Sequence, residues 1–357
     1  MRIFIDIGHP AHVHYFRNFI IQMKVRGHSF LITSRNKEVT HELLNYYNIE
    51  FSDRGKGSNH FFGKLVYLFL ADIKLFRLAL NWRPDLFLSF GSPYAAHVAK
   101  LLNKPHIALT DTEHAKLGIL SFAPFSESII TPESFYKTFS RKQIRFNGFF
   151  ELCYLHPSLY KPDTSIRCQL NLLTTDKFVL LRFVSWNASH DMGQSGISED
   201  VRFKLIEFLT GVGYKVFISS EGRILPELEK FKINIPPEKL HSVLGEADLF
   251  IGESGTMATE ASLLGTPSIY VNSLDAGVFR DEVRYGLLYS LRSDNQLLKR
   301  TEALLSESNL KEKHLTRREK MLTEKIDVTS FLEWFIENYP ESRQMMMTNP
   351  EYQYNFM

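Results

Sequence analysis

The stretch from Ala247 to Asn272, ADLFIGESGTMATEASLLGTPSIYVN, constrains the fold of this chain more than any other. An apolar run, Leu249 to Ile251, meets a break of small and polar residues, Gly252 to Thr256. A helix-compatible run from Met257 to Leu264 follows, with Gly265 as a C-cap and Pro267 as a stop. A second apolar run, Ser268 to Val271, comes next. Strand, turn, helix and strand within about thirty residues make a βαβ unit, the building block of a parallel sheet. Gly255 lets backbone come close to a ligand, and the first amides of the helix have no partner inside it. Such a helix start attracts anions, phosphate above all. Ser254, Gly255, Thr256 and Met257 are therefore candidate phosphate contacts. Glu260, one turn further on, is placed to accept hydrogen bonds from ribose hydroxyls. An ordinary N-cap would explain Ser254-Gly255-Thr256 alone. The longer pattern, with a second glycine, a helical Glu and a closing Leu-Gly-Thr-Pro, favours a nucleotide.

With 357 residues the chain is too long for one ordinary core and fits two domains. The pattern predicts an α/β protein with a first domain over 1–155 and a second over 156–326. A helix over 327–340 is expected to cross back to the first, ahead of a polar, loosely ordered tail over 341–357. Only two cysteines, Cys153 and Cys168, argue against a disulfide scaffold and for a reducing compartment. MRIFIDIGHP reads as a first strand rather than a signal peptide, because no long apolar segment follows the charge. A cytoplasmic protein is expected. Lys and Arg against Asp and Glu count 19 to 12 over residues 1–155 and 23 to 28 over the rest, so the halves carry +7 and −5. A basic first half suits an anionic surface or substrate.

Ligands in open α/β sheets bind beyond the carboxyl ends of the strands, so strand-end loops are where site residues belong. The first strand, Arg2 to Ile7, runs into Gly8-His9-Pro10-Ala11-His12-Val13-His14, and a helix is predicted from Val13 to Arg26. Gly8, His9, His12 and His14 are candidate substrate contacts. Their spacing matches no zinc pattern, so no metal is expected. The fourth strand ends in Gly91-Ser92-Pro93, which brings Ser92 into the candidate set. The fifth ends in Thr110-Asp111-Thr112-Glu113-His114, the richest acid–base cluster of the first half. Asp111 and Glu113 are both candidate general bases, not separable by sequence, with His9 and His12 as alternatives and His114 beside them.

Between these lies a mostly apolar helix, His60 to Trp82, with four charges that argue against a transmembrane span. Residues 54–83 carry six basic side chains against one acidic. Packing in the core and peripheral contact with the inner membrane leaflet are both compatible with that pattern. In the second half, the strand Phe178 to Val184 places Arg182 near its end. The following loop, Ser185 to Asp191, carries Trp186, Asn187 and His190. Arg182 and His190 suit a diphosphate. Trp186 suits the face of a sugar or base.

The ESGTMATEA segment and the opening IDIGHPAHVHYFRNFI resemble a family of uncharacterised GT-B-like proteins with a domain-of-unknown-function label. It is related to non-hydrolysing UDP-N-acetylglucosamine 2-epimerases and MurG-type glycosyltransferases. The resemblance runs from Met1 to about Glu337. It implies two Rossmann-like domains facing across a cleft, with the nucleotide-sugar on the C-terminal domain and the acceptor on the N-terminal one. It implies phosphate contacts from Ser254, Gly255 and Thr256 and a ribose contact from Glu260. In the epimerases a carboxylate just after a Gly at the fourth strand end is essential, and here Gly91-Ser92-Pro93 has none. Their histidine–arginine signature after the first strand of domain two is replaced by SWNASHD. The expectation is a metal-independent glycosyltransferase that takes a UDP-sugar as substrate and needs no cofactor. It would serve cell-surface polysaccharide or glycolipid synthesis, with a glycan or lipid-linked acceptor. An epimerase-like isomerase and a non-catalytic nucleotide-sugar-binding protein are the alternatives. No nucleic-acid signature is present, and a homodimer is compatible with the sequence.

Overall fold

The computed structural model describes residues 1–58, 61–184, 196–220 and 224–357, without the side chains of Phe61, Phe62, Leu65 and Ser140. Of the residues singled out above, His60, Trp186, Asn187 and His190 lie outside the described residues. The chain divides into two compact units, Met1–Leu159 with Lys325–Met357, and Tyr160–Glu324.

The first unit alternates strand and helix. β1 (Arg2–Ile7), α1 (Pro10–Val25), β2 (Ser29–Ser34), α2 (Thr40–Tyr46), β3 (Ser52–Asp53) and α3 (Phe61–Trp82) open it. β4 (Leu86–Phe90), α4 (Pro93–Leu101), β5 (His106–Leu109), α5 (Lys116–Phe122), β6 (Ser128–Pro132), β7 (Gln143–Phe146) and α6 (Leu152–Leu155) follow. The strands form a parallel sheet of order β3-β2-β1-β4-β5-β6-β7. Order reverses between β1 and β4, the switch point at which doubly wound sheets open a crevice. The central strands are apolar on both faces because helices cover both. Ile3, Phe4, Ile5 and Ile7 are fully buried, and so are Leu86, Phe87 and Leu88.

The second unit repeats the plan on a smaller scale. Its elements are α7 (Ile166–Gln169), β8 (Phe178–Phe183), α8 (Glu199–Gly211), β9 (Lys215–Ser220), α9 (Leu240–Glu246) and β10 (Leu249–Gly252). α10 (Gly255–Leu263), β11 (Ser268–Val271), α11 (Gly277–Arg284), β12 (Leu288–Leu291), α12 (Leu297–Leu305) and α13 (Leu310–Leu322) complete it. The parallel order is β12-β11-β10-β8-β9, with β10 between β8 and β11. Val179, Leu181, Leu249, Ile251, Ile269 and Val271 form its core with the inner faces of α8 and α12.

The chain then returns to the first unit through α14 (Val328–Glu337) and α15 (Glu341–Thr348). The expected loose tail is corrected here. α15 and a 3₁₀ turn, Pro350–Phe356, pack on the first unit, with Trp334 stacked on Tyr352 at 4.7 Å and Gln353 accepting from the Asn147 amide at 2.7 Å. Aromatic and Met side chains give this polar-looking segment enough apolar surface to dock. Two other differences have local causes. α1 begins at Pro10 rather than Val13, because Pro at the first helical position needs no amide partner and His9 caps the turn. A helix, α11, begins at Gly277, inside the stretch Asn272 to Arg280 whose small and polar residues after a strand suggest a loop.

Candidate functional site

In the second unit the open helix start is present as a physical object. The Ser254 hydroxyl accepts from the Met257 amide at 3.4 Å and caps α10. Among the described residues, the amides of Gly255 and Thr256 find no acceptor. A Cβ on Gly255 would lie 2.6 Å from the Phe279 ring, so any larger residue would have to push that ring aside. Arg182 is the register partner of Gly252, three residues before Gly255, and its Nη1 donates to the Ser219 hydroxyl at 2.8 Å. A guanidinium thus stands on the strand next to the motif. Met257 is buried, so any contact it makes to a ligand comes from its backbone.

Glu260 is almost fully buried and its Oε1 lies 3.0 Å from Nε2 of His241, which is equally buried on α9. The carboxylate expected at a ribose is therefore held by an imidazole. Glu253, which sequence reasoning passed over, has a different job. Its Oε2 accepts from the Val184 amide at 2.8 Å, and its Oε1 from the Ile197 amide at 2.6 Å and from Arg202 at 3.2 Å. One buried carboxylate thus pins the chain on either side of segment 185–195. The only clue in the sequence was an acid directly after a buried strand, where a charge needs partners.

The first unit holds a cavity of ≈160 Å³ at the switch point, lined by Gly8, His12, Arg35, Arg54, Phe90, Gly91, Ser92, Pro93 and Tyr94. Its floor is an ion-pair network that the sequence reading missed. Asp6, fully buried, accepts from Arg54 Nε at 2.8 Å and Thr33 Oγ1 at 2.7 Å through one oxygen, and from Ser92 Oγ at 2.5 Å through the other. Arg54 Nη1 donates to the Tyr67 hydroxyl at 2.7 Å, and its guanidinium lies over the Tyr94 ring at 4.5 Å. The signal that could have found it is Asp6 itself, the one acid in an apolar strand of a parallel sheet.

His12 borders this cavity. The Gly8 amide donates to its Nδ1 at 3.3 Å, which leaves the proton of a neutral ring on Nε2. Burial, with His9, Lys37 and Arg54 nearby, pushes its pKa well below the usual imidazole value. His12 is thus a neutral donor here rather than a charged group. The His9 Nδ1 accepts from the Ala11 amide at 3.2 Å, as an N-cap. The placement of His14 with the loop is corrected. One turn into α1, it is buried between Tyr47 and Tyr154, with ring centroids 5.9 and 5.2 Å away. Ser92 caps α4 through Ala95 as well as bonding Asp6, so its hydroxyl is engaged twice.

At the end of β5 the two acids differ. Asp111 accepts from Thr112 Oγ1 at 2.9 Å, and burial raises its carboxyl to about 6. Glu113 is fully buried and accepts from the Tyr136 amide at 3.3 Å. Its geometry is that of a side chain that fixes a loop. His114, half-buried, follows on the turn into α5. Among the described residues no group of three or more His, Cys, Asp and Glu is arranged to hold a metal ion.

Two parallel-sheet Rossmann-like domains define a GT-B-type α/β protein, and the solved structures with this likeness are GT-B enzymes. The chain belongs to the DUF354 family, described as proteins of unknown function, whose profile matches residues 1–327. An uncharacterized protein of Methanocaldococcus jannaschii is 28% identical over 280 residues, which cover 75% of this chain and 80% of that one. The UDP-GlcNAc 2-epimerase of Neisseria meningitidis, bound to UDP-GlcNAc, superposes with a TM-score of 0.66 at 13% identity, over 88% of this chain and 94% of its own. The Methanocaldococcus jannaschii UDP-GlcNAc 2-epimerase, in complex with UDP-GlcNAc and UDP, gives 0.65 at 15% identity, over 89% and 99%. A spinosyn rhamnosyltransferase complexed with spinosyn aglycone gives 0.60 at 14%, over 95% and 100%. At these identities the likeness carries the fold and nothing more.

Proposed function

We propose that this protein is a glycosyltransferase that takes a UDP-sugar. The reading rests first on the amides of Gly255 and Thr256, which open α10 without an acceptor among the described residues and with a guanidinium on the neighbouring strand. Two oriented N–H groups, a helix dipole and Arg182 suit a diphosphate and stabilise the charge that builds on it as it leaves. Glu260, held by His241, serves the ribose. Solved relatives in fold bind UDP-GlcNAc and UDP, which supports the choice of nucleotide.

Transfer is favoured over epimerisation by the acids of the first unit. The strand-end position after Gly91 carries Ser92, whose hydroxyl already bonds Asp6 and caps α4. Glu113 is engaged with the Tyr136 amide. Asp111 remains, with a carboxyl raised to about 6, as the base that deprotonates an acceptor hydroxyl. A pKa just below neutral leaves it largely ionised at pH 7 yet more basic than an ordinary Asp. The His12 Nε2 proton and the Arg35 and Arg54 guanidinia are suited to orient a hydroxyl-rich or anionic acceptor group.

The test combines binding and turnover on the full chain. UDP should raise the melting temperature, as any ligand selective for the native state does. UDP-GlcNAc should release UDP only when an acceptor is supplied, whereas an epimerase needs none. Asp111→Asn should lower turnover by roughly 10²–10⁴-fold while leaving the UDP-induced shift intact. Absence of any shift with UDP would remove the nucleotide reading, and a new UDP-sugar epimer formed without acceptor would replace transfer.

A further inference from the structure

α3 is apolar on two opposite faces, and only one of them is used inside the protein. Its inner face, Ala71, Leu75 and Ala79, is buried against α4 and the core around Phe4 and Phe87. On the outer face Val66, Phe69, Leu70, Ile73 and Leu80 are 47–68% exposed. Their spacing of three and four residues puts them on one stripe. Scattered exposed leucines are ordinary, but five large apolar side chains in one row on a single helix are not. α5, which also packs on α4, exposes Leu117 and Leu120 as well.

The charges beside the stripe have one sign. Arg77 lies within it, and Lys74, exposed at its edge, donates from Nζ to the Asp53 carbonyl. The helix's one acid, Asp72, is turned to His97 at 3.0 Å instead. Tyr67, its other large polar group, is bound to Arg54. No described helix is long and apolar enough to cross a membrane. A helix of 22 residues lying flat extends about 33 Å, a length suited to contact in the plane of a surface.

We propose that the outer face of α3 docks on an anionic lipid surface, with Phe69 and Leu70 entering the headgroup boundary and Arg77 and Lys74 at the phosphates. Charge decides between the two apolar occupants. A second copy placed on this face by a two-fold axis would set Arg77 and Lys74 near their own counterparts, with no carboxylate on the stripe to neutralise them. An anionic bilayer satisfies the apolar row and the cations together. The inference stands apart from the nucleotide reading, since it involves neither α10 nor Asp111.

Vesicle flotation of the full chain tests it, with phosphatidylcholine alone and with about one-third phosphatidylglycerol, a lipid whose charge each surface cation senses. Binding is expected to the anionic vesicles and to weaken with salt. Lys74→Gln and Arg77→Gln should each weaken it about five-fold. Phe69→Glu with Leu70→Glu should abolish it while leaving the far-UV circular dichroism spectrum and the cooperative melting of the first unit intact, which shows the variant folded. Failure to float with anionic vesicles overturns the proposal, as does binding undiminished by the Phe69 and Leu70 changes. A concentration-dependent dimer that those two changes dissolve, seen by sedimentation, assigns the face to a second copy and overturns it too.

Discussion

Glu282 offers a direct test of how the second unit is built. It lies on α11, fully buried, and neither carboxylate oxygen has a hydrogen-bond partner among the described residues. Burial raises its carboxyl to about 8, partly offset by the nearby Thr259 and Ser262 hydroxyls of α10. At pH 7 the group is therefore neutral in the folded protein, whereas the unfolded chain ionises it near the ordinary glutamate value of 4.5. The sign follows from proton binding. Between pH 4.5 and 8 the folded state keeps a proton that the unfolded state has lost, so stability falls as pH rises through that window. The slope is roughly 1.4 kcal/mol per pH unit, and about 3 kcal/mol has been lost by pH 7. Glu282→Gln, close in shape and never charged, should remove this slope and make the second unit more stable near neutrality. Two units need not unfold together, so the readout should be local. Amide hydrogen exchange of peptides from β10, α10 and β11 under conditions of global opening, followed from pH 5 to 8 with correction for intrinsic exchange, supplies it. A difference between Gln and Glu proteins that stays constant over that range would refute the claim that this carboxyl is buried and neutral.

Three further outcomes follow from buried partners. Glu253→Ala strands the Val184 and Ile197 amides and the Arg202 guanidinium, and should cost about 3–5 kcal/mol, lowering the second unit's melting temperature by roughly 6–20 °C. A calorimetric shift under about 2 °C would show that the clamp is not holding that unit together. Arg54→Met leaves Asp6 buried without its cation and should cost a similar ~3–5 kcal/mol in urea unfolding, with Asp6→Asn in the same chain restoring part of it. Truncation after Tyr339 removes Tyr352 and Phe356 from the Trp334 ring and should lower the first unit's melting temperature by several degrees, roughly 4 °C or more. An unchanged melting curve would make the docked tail dispensable.

The legible parts of the sequence were those in which local pattern and tertiary need agree. Apolar runs such as Phe178–Phe183 and Ser268–Val271 are buried on both faces, so their composition alone identifies them as parallel strands. The α10 motif was readable because glycine, hydroxyl cap and helix formers all serve one turn. α11 was less so. GVFRDEVR carries a strongly one-sided apolar pattern over only eight residues, and Asp275 before it and Gly277 at its start suggest a loop. The tail was misread because its Met and aromatic residues lie among polar ones and gather only when α15 and the last turn fold onto Phe331 and Trp334. The acids at the end of β5 illustrate a different limit. Asp111 and Glu113 are two residues apart, yet burial pushes the carboxyl of one up to about 6 beside Thr112 and the other fixes the Tyr136 backbone. Burial separates them, and burial is set by β6 and the segment after it.

Polar residues at the strand ends divide by what already occupies them. Ser92, Ser254 and His9 each cap a helix, Glu253 holds two amides, and Asp6 accepts from three donors. These residues match site motifs by type, yet a ligand recruiting them would break a bond that stabilises the fold, at about 1–3 kcal/mol for each group left unpaired. Groups without such commitments recruit a ligand at no such loss. In the second unit these are the Gly255 and Thr256 amides, which a capping serine leaves pointing outward by satisfying only the amide of Met257. In the first unit it is the Nε2 proton of His12, fixed in place because the Gly8 amide occupies Nδ1. Within each unit, the side chains that look most like a site are thus already bonded into the fold, whereas these amides and this ring proton are not.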